Sequence, residues 1–120
     1  MDNIYKNTNG LNTKLWGPIV WDFLHIISLN YPVNPTDKDK YVYFNVIKSL
    51  KYVLPCKKCR KNISKNLKDI NYKKKKHYEN RKNFINLIYK LHNEVNKKIG
   101  KDIVSYDTII QYNNKYRAQK

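Results

Sequence analysis

Cysteine is nearly absent: the 120 residues hold two, Cys56 and Cys59. That excludes a secreted domain stapled by several disulfides. No apolar run approaches the roughly 20 residues that span a bilayer, so no membrane is expected. The opening MDNIYKNTNG has no basic stretch leading into an apolar one, so no secretory signal is read there. The period-two alternation of strands is missing, and four prolines and three glycines punctuate sparsely. Acidic residues are scarce too: nine, against 25 Lys and Arg, for a net charge of +16.

What is present is an ordinary apolar fraction, 41%, enough for one folded domain with a real core. The charge raises nucleic acid as a partner. A plainer account competes with it. The chain is crowded with Lys, Asn, Ile and Tyr and has one alanine, the bias of AT-rich coding, which leaves most lysines as solvated surface. Nucleic acid is therefore not the expected partner.

Apolar periodicity gives helices. Leu15, Trp16, Ile19, Val20, Phe23, Leu24, Ile26 and Ile27 mark a first helix over 15–29, capped by Thr13, with Pro18 tolerated in its first turn. Thr36 and Asp37 cap a second over 38–53. Pro55 restarts the chain for a third over 56–67. Residues 71–80, with four consecutive lysines from Lys73, read as an exposed connection. A fourth helix covers 81–99, stopped by Gly100. Ser105 with Thr108 begins a short fifth that runs to Tyr112. The sum is an all-α fold, a four-helix bundle plus a short fifth helix.

The two cysteines stand in LPCKKC, at the start of the third helix. Three apart, they share one face of its first turn and can be bridged. The first-turn N–H groups, with Lys57, Lys58 and Arg60, favour a thiolate there. That points to exchange chemistry, but other readings stand beside it. Zinc needs two more ligands, and His25, His77 and His92 are too scattered for a finger pattern. A thioredoxin-like site needs a strand before its CxxC. A coincidental pair in a structural bundle is the plain alternative.

Two other helices narrow the choice. Trp21 and His25 are four apart on the first, His92 and Asn96 four apart on the fourth, with Asn93 beside them. A lone His or Trp at helical spacing is ordinarily core. Buried Asn and His on two helices, however, require hydrogen-bond partners, which a planar polar ligand between helices would supply.

The segments WGPIVWDFLH (Trp16–His25), PCKKC (Pro55–Cys59) and HNEVNKKIGK (His92–Lys101) closely resemble the FAD-linked sulfhydryl oxidases of the Erv/ALR type, over about Leu15 to Tyr112. The resemblance implies an FAD-binding domain over 13–114, with a flexible extension at 1–12 and a tail at 115–120. It implies FAD contacts from Gly17, Trp21, His25 and Cys59, and from His92, Asn93, Val95 and Asn96. Lys98 and Lys101 fall near the pyrophosphate, and Tyr112, or failing it Tyr116, against the adenine. No metal is implied. A homodimer is.

The implied reaction is 2 R-SH + O2 to R-S-S-R + H2O2. A client thiolate attacks Cys56, the catalytic sulfur facing the client, and Cys59 leaves beside the flavin. The flavin carries the electrons to O2. Many members of the family add a distal cysteine pair that shuttles electrons. With two cysteines in all, the thiols are expected from dithiol client proteins directly, or from a separate small shuttle dithiol protein. Compact cores of this kind resemble those of large cytoplasmic DNA viruses, so the expected location is the host cytoplasm or the virion. The rival class is a basic helical binding module for nucleic acid or an acidic partner, with a non-catalytic or metal-bound CxxC.

Overall fold

A computed structural model describes residues 3–119, and five α-helices and a short 3₁₀ turn account for its regular structure. In chain order these are α1 (Thr13–Leu29), α2 (Asp37–Val53), α3 (Lys57–Asp69), the 3₁₀ turn (Lys75–Tyr78), α4 (Arg81–Ile99) and α5 (Tyr106–Tyr116). Among the described residues there is no strand. Among the described residues, no helix is long and apolar enough to cross a membrane. α1 packs on α4 and α2 on α3, α3 also meets α4, and α5 lies against α1.

Local chemistry sets the helix ends. Asn12, not Thr13, caps α1 by accepting from the Lys14 N–H; both residue types cap well, and periodicity cannot separate neighbours. Thr36 and Asp39 form a reciprocal capping box on α2. Cys56 is itself the extended cap of α3, its sulfur accepting from the Cys59 N–H at 3.1 Å. Asn80 caps α4, and Gly100, at φ +75°, ends it. α3 ends on Asn71, at φ +55°, with Asn71 N–H to Lys68 and Tyr72 N–H to Leu67, the paired bonds of a Schellman turn.

The core joins Leu24 of α1, Ile47 and Leu50 of α2, Ile63 and Leu67 of α3, and Phe84, Leu87, Ile88 and Leu91 of α4. An aromatic cluster closes the end of the bundle around Phe84. Tyr31 stacks on its ring at 4.5 Å, while Tyr43 and Tyr78 pack at 5.3 and 5.9 Å.

The segment 71–80 is not the exposed connection expected. Tyr72, His77 and Tyr78 are buried. The Tyr31 hydroxyl donates to the Tyr78 carbonyl, and that of Tyr78 to Tyr72 at 2.8 Å. Lys73 to Lys76 do point outward. α5 also runs four residues past Tyr112. Tyr112 hydrogen-bonds Asp22, and Arg117 donates to the Leu29 carbonyl at 2.9 Å, so packing on α1 outweighs the weak helix propensity of Asn113 and Asn114.

Candidate active site

Helical spacing brings three faces to one cavity of about 640 Å³. α1 contributes Trp16, Gly17 and Trp21; α3 contributes Cys59, Ile63 and Asn66; α4 contributes His92, Val95 and Asn96. Leu50 and Leu54 close the α2 side, and Lys98, Lys101 and Tyr112 complete the lining. Gly17 with Trp21, Cys59 with Ile63, Ile63 with Asn66, and His92 with Val95 and Asn96 lie three or four residues apart, as neighbours on one helix face do. Gly100 makes this possible at the far end. Its left-handed turn lets Lys101 N–H donate back to the Asn96 carbonyl at 2.9 Å.

Cys56 and Cys59 are joined as a disulfide, with Cα atoms 5.1 Å apart. Only Cys59 lines the cavity. Cys56 sits outside that lining, half-buried, where α2 hands over to α3. The two sulfurs thus face different surroundings across one bond. Arg60 fixes the corner through its N–H on Cys56 O at 2.9 Å and its guanidinium on Leu54 O at 2.7 Å.

Of the other residues singled out in the sequence, Gly17, Trp21, His92, Val95, Asn96, Lys98, Lys101 and Tyr112 line the cavity. His25 and Asn93 do not. His25 lies behind His92, with its Nε2 2.8 Å from His92 Nδ1. Asn93 clamps the loop before α5, accepting from Val104 N–H at 2.7 Å and donating to Val104 O at 3.2 Å. Asn96 donates to Asp102 O at 3.1 Å. Lys98 is held by Asp69 and Glu94, and the Asp69 hydrogen bond keeps its ammonium above the usual range. Lys101 has no ion-pair partner among the described residues.

Trp21 stacks face to face on His92 at 4.0 Å, and Tyr112 stacks on His25 at 5.1 Å. Burial holds His25 down to about 4, against the pull of Asp22. Burial also takes His92 to about 4, helped by His25 and Lys101 and opposed by Asp22. Both rings are therefore neutral at pH 7. His25 Nδ1 is buried without a partner, and a proton there would be an orphaned donor. His25 consequently carries its proton on Nε2 and donates to His92 Nδ1. That leaves His92 with an Nε2–H donor in the cavity wall.

The depressed values have a stability consequence. The unfolded histidines titrate near 6.5 and the folded ones near 4, so in that window the unfolded chain binds more protons. Stability is complete above the upper limit and falls as pH drops through the window, by at most about 1.4 kcal/mol per pH unit for each histidine; the wetter His92 contributes less. Thermal melts between pH 7 and 5 should show a steeper decline for the native protein than for His92→Gln. Equal slopes would remove the histidine pair as the cause.

Asn66 escaped the sequence reading. Buried on α3, it lines the cavity with an Oδ1 that finds no protein partner. Its signal was its position: Cys59, Ile63 and Asn66 share one helix face. Gly17 is the other informative residue. Glycine inside a helix costs about 1 kcal/mol against alanine, yet a Cβ there would meet only Thr13, at 4.0 Å. No protein neighbour needs the space, so its absence enlarges the cavity. The flat Trp21 face, the buried amide of Asn66, the His92 donor and the Lys101 cation together fit a planar, polar group with an anionic part.

A family model described as Erv1/Alr matches residues 18–117. The chain is 35% identical over 101 residues to a probable FAD-linked sulfhydryl oxidase of Acanthamoeba polyphaga mimivirus, covering 84% of this chain and 70% of that protein. It is 30% identical over 105 residues to the FAD-linked sulfhydryl oxidase of African swine fever virus, covering 84% and 79%. The fold matches the crystal structure of the yeast Erv1 core with a TM-score of 0.73 at 22% identity, over 97% of this chain and 92% of the other.

Proposed function

The chain belongs to the Erv1/Alr family, and from that premise we propose that it is an FAD-linked sulfhydryl oxidase, turning two thiols and O2 into a disulfide and hydrogen peroxide. One observation carries the reading: a disulfide with one sulfur in the wall of a ligand-sized cavity and the other outside it. Trp21, His92, Asn96, Asn66, Lys98 and Lys101 are the residues that would hold FAD. His25 and Asn93 act at one remove, by fixing His92 and the loop before α5.

The exchange uses this chain's own atoms. A client thiolate attacks Cys56 Sγ, the sulfur outside the cavity, and the Cys56–Cys59 bond breaks. Cys59 leaves as a thiolate in the first turn of α3, where the positive end of the helix dipole stabilises negative charge. The second client thiol, as its thiolate, attacks the client sulfur joined to Cys56 and expels Cys56 as a thiolate. The client is now a disulfide, and the pair holds its two electrons. Held in the cavity, FAD would supply the acceptor for those two electrons and their route to O2. Leu50, Leu54 and Ile63 line the apolar side of the cavity that Cys59 shares.

The test is direct. The purified protein should be yellow, release flavin on denaturation, and consume O2 with a small dithiol such as dithiothreitol. A colourless protein that takes up no FAD on reconstitution would sink the reading.

The 120 residues hold no further cysteine pair, which supports a dithiol client or a separate shuttle protein as the source of thiols. The viral relatives support action in the host cytoplasm or virion of a large DNA virus. Leu15, Ile19 and Phe23, at 70%, 68% and 57% exposure, form a stripe of i+4 neighbours along α1. Such a stripe is costly in water, and a second copy of the chain is its natural cover. Sedimentation of native protein should show two copies, and Ile19→Glu should yield one. A native monomer would refute the assignment.

A further inference from the structure

No acidic residue occurs from Lys40 to Lys68, a stretch that carries nine Lys and Arg. The fold concentrates part of this charge beside one sulfur. Where α2 gives way to α3, a shallow groove is lined by Lys51, Tyr52, Lys57, Arg60, Lys61 and Ser64. It shares no residue with the cavity that holds Cys59. It adjoins the corner where Cys56 sits, since Lys57 follows Cys56 in the chain and the Arg60 N–H donates to the Cys56 carbonyl at 2.9 Å, and it lies between the last turn of α2 and the first two turns of α3. Among the described residues, none of its four cations has an ion-pair partner. Arg60 is further fixed by the Leu54 carbonyl. Tyr52 and its neighbour Val53 add exposed apolar surface, at 70% and 66% exposure.

We propose that this groove docks the dithiol substrate, and that the segment it accepts is an acidic stretch of polypeptide flanking the substrate's cysteine pair. The inference rests on the oxidase reading and adds a substrate class to it. Two arguments select this occupant. Whatever docks beside Cys56 must bring two thiols to it, which a polypeptide does and a nucleic acid does not. Four unpaired cations around an apolar tyrosine complement carboxylates interspersed with apolar side chains, and such complementarity acts mainly on the encounter rate. The chemistry is the exchange already described. The groove raises the local concentration of the substrate thiolate, and no other reactant enters.

The experiment uses the FAD-loaded protein and O2 consumption. Three reduced substrates are compared: dithiothreitol, a Cys-x-x-Cys peptide flanked by Asp and Glu, and the same peptide flanked by Lys. The acidic peptide should exceed the basic one in kcat/KM by about tenfold or more at low salt, with the gap closing as salt rises. Lys51→Glu with Lys61→Glu should reverse the order of the peptides and leave dithiothreitol turnover within about twofold, because neither residue touches the disulfide or the cavity. Equal kcat/KM for the two peptides, a ratio indifferent to salt, or an equal loss on all three substrates would each overturn the proposal. So would a DNA duplex that binds at physiological salt and is released by the same double variant, since the groove would then belong to nucleic acid. If native protein failed even with dithiothreitol, the oxidase reading itself would fall; activity there with no preference between peptides would sink the docking surface alone.

Discussion

Cys59→Ser should abolish dithiol turnover, by at least about a thousandfold in kcat, and leave the protein yellow. The size follows from the chemistry: serine cannot form the disulfide that accepts the client's electrons, so no slower version of the route survives. FAD retention follows from the site, because the cavity is framed mainly by Trp21, His92, Val95 and Asn96, and Cys59 is one part of one wall. Cys56→Ser should lose turnover to the same degree. The two variants should part in reactivity. In Cys59→Ser the remaining sulfur lies outside the cavity, in Cys56→Ser it lies inside, so an aromatic disulfide reagent should modify the first much faster. Peroxide production at the native rate by either variant would eliminate the exchange mechanism. Faster modification of Cys59 than of Cys56 would reverse the assigned roles.

The helices were legible because their ends are chemically marked. α4 runs from Arg81 to Ile99 as read, with Asn80 to start it and Gly100 to stop it. The fate of each apolar position was less legible. Leu15, Ile19 and Phe23 recur at helical spacing, as do Val20, Leu24 and Ile27, and α1 is apolar on more than one side. Periodicity cannot say which side meets the core. Tyr72 and Tyr78 are hidden for a related reason: among four lysines they read as surface, and their burial depends on distant partners, Tyr31 for Tyr78, 47 residues away, and Phe44 for Tyr72.

The site was legible in proportion to its motifs. His25, Asn93 and Asn96 were identified as polar groups that need partners, and the structure gives each a protein partner: His92, Val104 and Asp102. For the two asparagines these partners are the loop that carries the chain from α4 towards α5 and brings Lys101 to the cavity. Asn66 carried no motif. Only the register of α3 behind Cys59 reveals it, and register is visible once the helix is known to start at Lys57.

The aromatic cluster supports the site from a distance, and Phe84→Ala should expose how much. Phe84 is fully buried on α4, stacked by Tyr31 and edged by Tyr43, so truncation leaves a hole that three large rings cannot fill without leaving their own contacts. The expected loss is about 3–5 kcal/mol, a large share of the 5–15 kcal/mol typical of a domain, and on the order of 10 °C or more in melting temperature. Phe84 lies two helical turns before His92 and lines no part of the cavity. The folded variant should therefore turn over dithiothreitol normally at low temperature. Because FAD binds only the folded chain, cofactor at a hundred times its dissociation constant should restore about 2.7 kcal/mol by mass action. Urea unfolding with and without added FAD reads both quantities. A loss under about 1 kcal/mol would mean that the cluster repacks around the gap. Full stability with impaired turnover would instead make Phe84 part of the site, contrary to its place in the structure.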